Sequence, residues 1–68
     1  MAANVIGQVL GGEKKVCDYV DTVGDVRRKL NVSSEYQAAV NGEAADDSDE
    51  LEDSVFVTFT RKVKGGGL

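Results

Sequence analysis

Seven carboxylates fall between Glu43 and Asp53, at Glu43, Asp46, Asp47, Asp49, Glu50, Glu52 and Asp53, with no basic residue among them. Acidic side chains this dense are the raw material of a calcium loop. Such a loop needs oxygen ligands at alternate positions, a Gly at the sixth and a Glu at the twelfth. Counted from Asp47, Asp49 falls at the third position, but Leu51 occupies the fifth and Glu52 the sixth, so the pattern fails. The stretch reads instead as a solvated acidic loop, with an electrostatic docking surface for a basic partner as the sharper reading. The 68-residue chain contains no His and a single Cys. Zinc and haem sites of the usual kinds, an intrachain disulfide and the commonest general base are therefore excluded. Cys17 reads as a small packed hydrophobe, since nothing beside it in sequence lowers its pKa. No cofactor and no metal are expected.

The formal charge of −4 is unevenly spread. Outside the acidic stretch the chain carries eight basic and five acidic side chains, a net of +3. Lys14, Lys15, Arg27, Arg28, Lys29, Lys62 and Lys64 would suit a phosphate backbone, but nucleic-acid binding usually interleaves aromatics with the cations. Only Tyr19, Tyr36, Phe56 and Phe59 are aromatic, and some of them must fill the core, so nucleic acid is not the expected partner. The N-terminus lacks the basic and long apolar stretches of a secretory signal, and no run approaches the roughly 20 apolar residues of a membrane helix. A soluble, cytoplasmic protein is the expectation, with the free Cys17 suiting a reducing compartment.

The elements that must position these residues are few. A chain this short makes one small domain and buries only about 60% of its unfolded surface. Val5 to Leu10 and Val16 to Val20 are apolar runs on either side of Gly11-Gly12, which predicts a hairpin. Thr22 with Asp25 three residues on is a variant capping box, and Val23, Val26 and Leu30 form one apolar helical face. Asn31 suits a left-handed helix end. Tyr36 to Val40 predicts a third strand, closed by the turn signal Asn41-Gly42. Ser48 to Leu51 is read as a single helical turn, with Leu51 pinning the acidic loop to the core. Val55 to Thr60 alternates as a strand, with Val55, Val57 and Phe59 on one face and Phe56, Thr58 and Thr60 on the other. Residues 1–62 form the domain, and residues 63–68 a flexible glycine-rich tail.

Strand, strand, helix, strand, strand in that order predicts an α+β, β-grasp (ubiquitin-like) fold. Its mixed sheet of four to five strands carries one helix packed on one face, and the first and last strands pair in parallel at the centre.

Taken in order, the motifs resemble the ubiquitin-like β-grasp proteins of the ThiS and MoaD sulfur-carrier type and their small archaeal modifier relatives. Thr22-Val23-Gly24-Asp25-Val26, leading to Leu30, is similar to the Thr-Val-x-Asp-Leu opening of the family helix. Ala39-Val40-Asn41-Gly42-Glu43 is similar to its Val-Asn-Gly turn, and Leu51-Glu52-Asp53-Ser54-Val55-Phe56-Val57 to its step into the last strand. Gly65, Gly66 and Gly67 resemble its terminal glycines. The chain departs from the pattern at Ser54, where the family has Gly, at Leu68 beyond the glycines, and in the basic lead-in Arg61-Lys62-Val63-Lys64.

The resemblance implies a carrier or modifier whose carboxylate after Gly67, freed of Leu68, is adenylated by an ATP-dependent partner enzyme. It then becomes a thiocarboxylate or an isopeptide. Glycines suit that task because backbone without Cβ atoms threads a narrow channel. Such a protein is no enzyme itself. Phe56 and Thr58 on the outer sheet face, with Arg61, Lys62 and Lys64, are the expected partner-docking residues. The alternative is a β-grasp interaction or assembly module with no activated terminus, for example an accessory protein of a phage, mobile element or larger complex.

Overall fold

A computed structural model describes residues 1–61 of the chain. Six elements follow one another: β1 (Val5–Val9), β2 (Lys15–Cys17), α1 (Val23–Leu30), β3 (Tyr36–Val40), β4 (Glu43–Ala45) and β5 (Phe56–Arg61). The five strands form one sheet in the order β2-β1-β5-β3-β4. β1 and β5 run parallel at the centre, with Ile6 opposite Phe56 and Val9 opposite Phe59. The β1–β2, β3–β4 and β3–β5 pairs are antiparallel. One helix on one face of such a sheet is a β-grasp, as the order of elements predicts.

The helix forms where its caps place it. Thr22 Oγ1 accepts from the Asp25 N–H at 3.4 Å, and Asp25 Oδ2 accepts from the Thr22 N–H at 3.2 Å, which completes the capping box. Asn31 closes the helix in the left-handed conformation, with φ 57° and ψ 48°. The Val32 N–H then donates to the Arg27 carbonyl at 2.9 Å. Val23 and Val26 are fully buried beneath it. Gly7 on β1 allows this close approach, since a Cβ there would lie 2.7 Å from Leu30 Cδ1 and 3.1 Å from Val26 Cγ1.

The core is small and rich in valine: Val5, Val20, Val23, Val26, Val55 and Val57 surround Phe59, with Ala2, Cys17 and Ala38 also buried. The alternation of β5 holds, with Val57 and Phe59 inward and Phe56, Thr58 and Thr60 half-exposed on the other face. Leu51 is partly buried against the core, and its N–H donates to the Asp21 carbonyl at 2.8 Å, so it pins the acidic loop as expected.

Three expectations are corrected. First, β2 is only three residues long, because the ladder is interrupted at Asn4 and Tyr19, both left-handed at φ 58° and 61°. The Asn4 N–H turns to Asp18 Oδ1 at 2.8 Å, and pairing resumes only at the Ala2–Val20 bridge. Second, Glu43–Ala45 leaves the acidic loop and becomes β4. Asn41 and Gly42, at φ 51° and 89°, make a two-residue turn whose twist returns the chain along β3. Third, Ser48 to Leu51 is not helical. Asp49 Oδ2 accepts from the Asp46 N–H at 3.1 Å while the Asp49 N–H donates to the Asp46 carbonyl at 3.0 Å, which closes a turn. Thr22 then bridges Glu50.

The acidic loop is thus more than a solvated excursion. The carbonyls of Asp49 and Asp47 accept from the N–H groups of Val23 and Gly24 at 3.1 and 2.9 Å. These donors belong to the first helical turn, which has no partners of its own.

Candidate docking face and acidic trough

Residues directly opposite across a ladder share a face. Val16 pairs with Ile6 and Ile6 with Phe56, so the three make an apolar row across β2, β1 and β5 on the sheet face away from the helix. Val16 is 61% exposed in this row. The next row places Thr58 between Gln8 and Ala39. Lys14, from the β1–β2 loop, holds its ammonium 5.5 Å from the centre of the Phe56 ring, a cation–π distance. The face therefore offers a flat apolar strip with one positive charge above its aromatic member. The backbone of Phe56 is tied to the β3–β4 turn, since its N–H donates to Asn41 Oδ1 at 3.0 Å.

Of the residues expected to dock a partner, the fold brings Phe56 and Thr58 together and separates Arg61 from them. Period-two alternation puts Arg61 on the face of Val57 and Phe59, at the exposed end of β5 opposite Tyr36. Lys62, Lys64, Gly65, Gly66 and Gly67 lie outside the described residues, as does the expected boundary between domain and tail. The basic residues of loop and helix are also split: Lys14 serves the outer face, while Arg27 turns toward the acidic loop.

Arg27 was not singled out by sequence beyond its place in a basic helical face. Its Nη2 and Nε lie 3.0 and 3.1 Å from Asp47 Oδ1, and its Nη1 donates to the Ser33 carbonyl at 2.6 Å. The guanidinium lies 5.2 Å from the centre of the Phe59 ring. Only 14% of its side chain is exposed. No local signal links positions 20 residues apart, so only the fold reveals this contact. Beside it opens a trough of about 560 Å³, with Tyr36, Ala38 and Ala45 in its floor and Arg27, Asp46 and Asp47 in its walls. A second hollow of about 440 Å³ adjoins it, sharing Ala44, Ala45 and Asp49 and adding Glu43 and Glu50.

Cys17 is buried at 3% exposure. Burial pushes its thiol above the ordinary value, Lys29 opposes this and Asp18 adds to it. The side chain packs as a hydrophobe and not as a nucleophile. Among the described residues, no group of three or more His, Cys, Asp or Glu is placed to hold a metal ion. Among the same residues, no helix is long and apolar enough to cross a membrane.

No protein-family model matches this chain, and neither a curated protein nor a solved structure matches it significantly. The β-grasp assignment rests on the order and direction of its own strands.

Proposed function

We propose that this chain is a ubiquitin-like sulfur carrier or protein modifier, docked through the outer sheet face around Phe56 and activated at its glycines by a partner enzyme. The supporting observation is the position of β5. It is the central strand, it carries Phe56 and Thr58 half-exposed on the outer sheet face, and in sequence it precedes Gly65 by four residues. A protein seated on that face would contact the same central strand that the glycine segment follows in sequence. In the proposed reaction, cleavage after Gly67 frees a carboxylate. Its oxygen attacks the α-phosphorus of ATP and expels pyrophosphate. Sulfide or an amine then displaces AMP from the acyl adenylate. The activating enzyme supplies every acid and base, which suits a chain without His.

Intact-mass analysis of the protein from its native host tests this reading. A species ending at Gly67, with a terminal sulfur or an attached target, supports it. A glycine segment that is never cleaved or adenylated overturns it.

The Val16–Ile6–Phe56 row favours a second reading, a β-grasp interaction or assembly module that needs no activated terminus. Under that reading Phe56→Ala abolishes partner capture while deletion of residues 65–68 leaves it intact.

A further inference from the structure

Among the described residues the sheet ends in two edge strands, β2 and β4. Backbone groups that point off such an edge are a template for another strand. The Ile6 N–H donates to the Val55 carbonyl at 2.9 Å, so the backbone of Ile6 faces β5. Val16, opposite Ile6, therefore points its own N–H and C=O off the edge of β2. The Asn41 N–H donates to the Phe56 carbonyl at 2.7 Å, and by strand alternation the backbone of Ala39 also faces β5, where it pairs with Thr58. Ala44, opposite Ala39, therefore points its N–H and C=O off the edge of β4. Both Val16 and Ala44 are exposed. The two edges differ in charge. Lys14 and Lys15 lead into Val16, whereas Glu43 and Asp46 flank Ala44 and Ala45, and Glu50 lines the hollow of about 440 Å³ beside them.

We propose that the β4 edge of one copy of this chain pairs with the β2 edge of the next, so that copies join head to tail into a continuous sheet. Direction, register and charge carry the inference. β2 runs antiparallel to β1, β1 runs parallel to β5, and β4 lies two antiparallel steps from β5. β2 and β4 thus run in opposite directions. Copies translated along the sheet, with the rotation that sheet twist adds, meet in an antiparallel ladder. Placing Ala44 opposite Val16 of the next copy lets the two exchange both hydrogen bonds that their edges leave open. This register respects the faces, because Ala44 lies on the outer face with Ala39 and Thr58, and Val16 on the outer face with Ile6 and Phe56. It sets Asp46 opposite Lys14 and Ala45 opposite Lys15, with Glu43 on the diagonal to Lys15. Lys15 falls on the helix side, where Glu43 and Glu50 line the hollow. Glu13 lies beyond the paired stretch, and Asp18, opposite Gly42, already accepts from the Asn4 N–H at 2.8 Å. Pairing β2 with β2, or β4 with β4, would bring like charges together, which selects the head-to-tail contact over a two-fold one. A head-to-tail contact leaves one edge of each kind open, so assembly does not stop at a pair.

This goes beyond the carrier reading and is independent of it. Sedimentation of the full chain at low salt should show a mean mass that rises with concentration past that of a dimer. It should fall back in 1 M NaCl, where the screening length is about 3 Å. Proline removes a donor and is tolerated on an edge strand where the N–H faces away from the sheet. Val16→Pro closes the β2 edge and Ala44→Pro the β4 edge, and circular-dichroism melts check that both variants fold. Each variant alone should stay monomeric, while their equimolar mixture should form a dimer and nothing larger. Lys14→Ser/Lys15→Ser, which leaves the backbone untouched, should weaken association severalfold. A parent mass that does not change with concentration overturns the proposal, and so does a mixture that stays monomeric. Association of either proline variant alone, or of the lysine variant, to the same extent as the parent overturns it in favour of another surface. The carrier reading survives any of these failures and stands or falls on the mass of the native protein.

Discussion

Arg27 binds Asp47 through two of its nitrogens while its guanidinium covers the ring of Phe59. One side chain thereby joins the helix, the acidic loop and the central strand. Arg27→Ala removes the ion pair, the ring contact and the donor to the Ser33 carbonyl together. We expect a loss of about 1–2 kcal/mol in urea unfolding. Asp47→Asn removes only the charge from a half-exposed partner and should cost about 0.2–1 kcal/mol. Equal losses from the two would show that the Phe59 contact contributes nothing.

The capping box fixes where the helix starts. Thr22→Ala should destabilise the fold by about 1 kcal/mol. The Asp25 carboxyl is held below its ordinary value by the N–H of Asp21 and then that of Thr22, with Arg28 adding to this. A carboxyl depressed in the fold contributes stability above its unfolded value, 3.8 here, and loses that contribution as pH falls through the lower folded value. Asp25→Asn should therefore narrow the difference in stability between pH 6 and pH 3, as measured by thermal melts.

Ser54 stands where the sulfur-carrier resemblance has Gly, and its φ is 63°. A left-handed backbone with a Cβ costs roughly 1–2 kcal/mol, partly offset by the freedom Gly adds to the unfolded chain. Ser54→Gly is expected to stabilise the protein by up to about 1 kcal/mol. A destabilised variant would mean that the Ser side chain contributes more than this strain costs.

Gly7 sets the distance between helix and sheet. Gly7→Val places branched carbons where Leu30 and the stiff Val26 already lie, at an expected cost of about 1–3 kcal/mol. Leu30→Ala in the same chain should recover part of it, giving a favourable coupling in a double-mutant cycle.

The two phenylalanines should separate stability from function. Phe59 is fully buried, and Phe59→Ala should cost about 3–5 kcal/mol. Phe56 is half-buried on the outer face, and Phe56→Ala should leave a folded protein that, under the proposed docking, no longer captures a partner. Pull-down beside a circular-dichroism melt distinguishes these outcomes.

Patterns that repeat within a few residues were legible in the chain itself. Thr22 with Asp25, Asn31 after Leu30, the Asn41-Gly42 turn and the alternation from Val55 to Thr60 each act through backbone groups near in sequence. They sufficed for the helix, both faces of β5 and the β-grasp order. The outer position of Phe56 and Thr58 followed from the same alternation.

Tertiary structure decided what depends on distant partners. β4 exists because Val40 and Ala39 offer Glu43 and Ala44 a ladder, which an acidic composition gives no hint of. The 47–49 segment is a turn because the first N–H groups of the helix claim its carbonyls, a demand placed 20-odd positions earlier in the chain. Arg27 became the fastening of that loop because the folded chain closes a separation of 20 residues to a contact. Arg61 was parted from Phe56 by one step of strand alternation, once β5 was shown to extend that far. The acidic residues were countable from the outset. Which of them form a wall, and that the wall stands at the end of the sheet where β5 leaves, is set by the pairing of β3 with both of its neighbours.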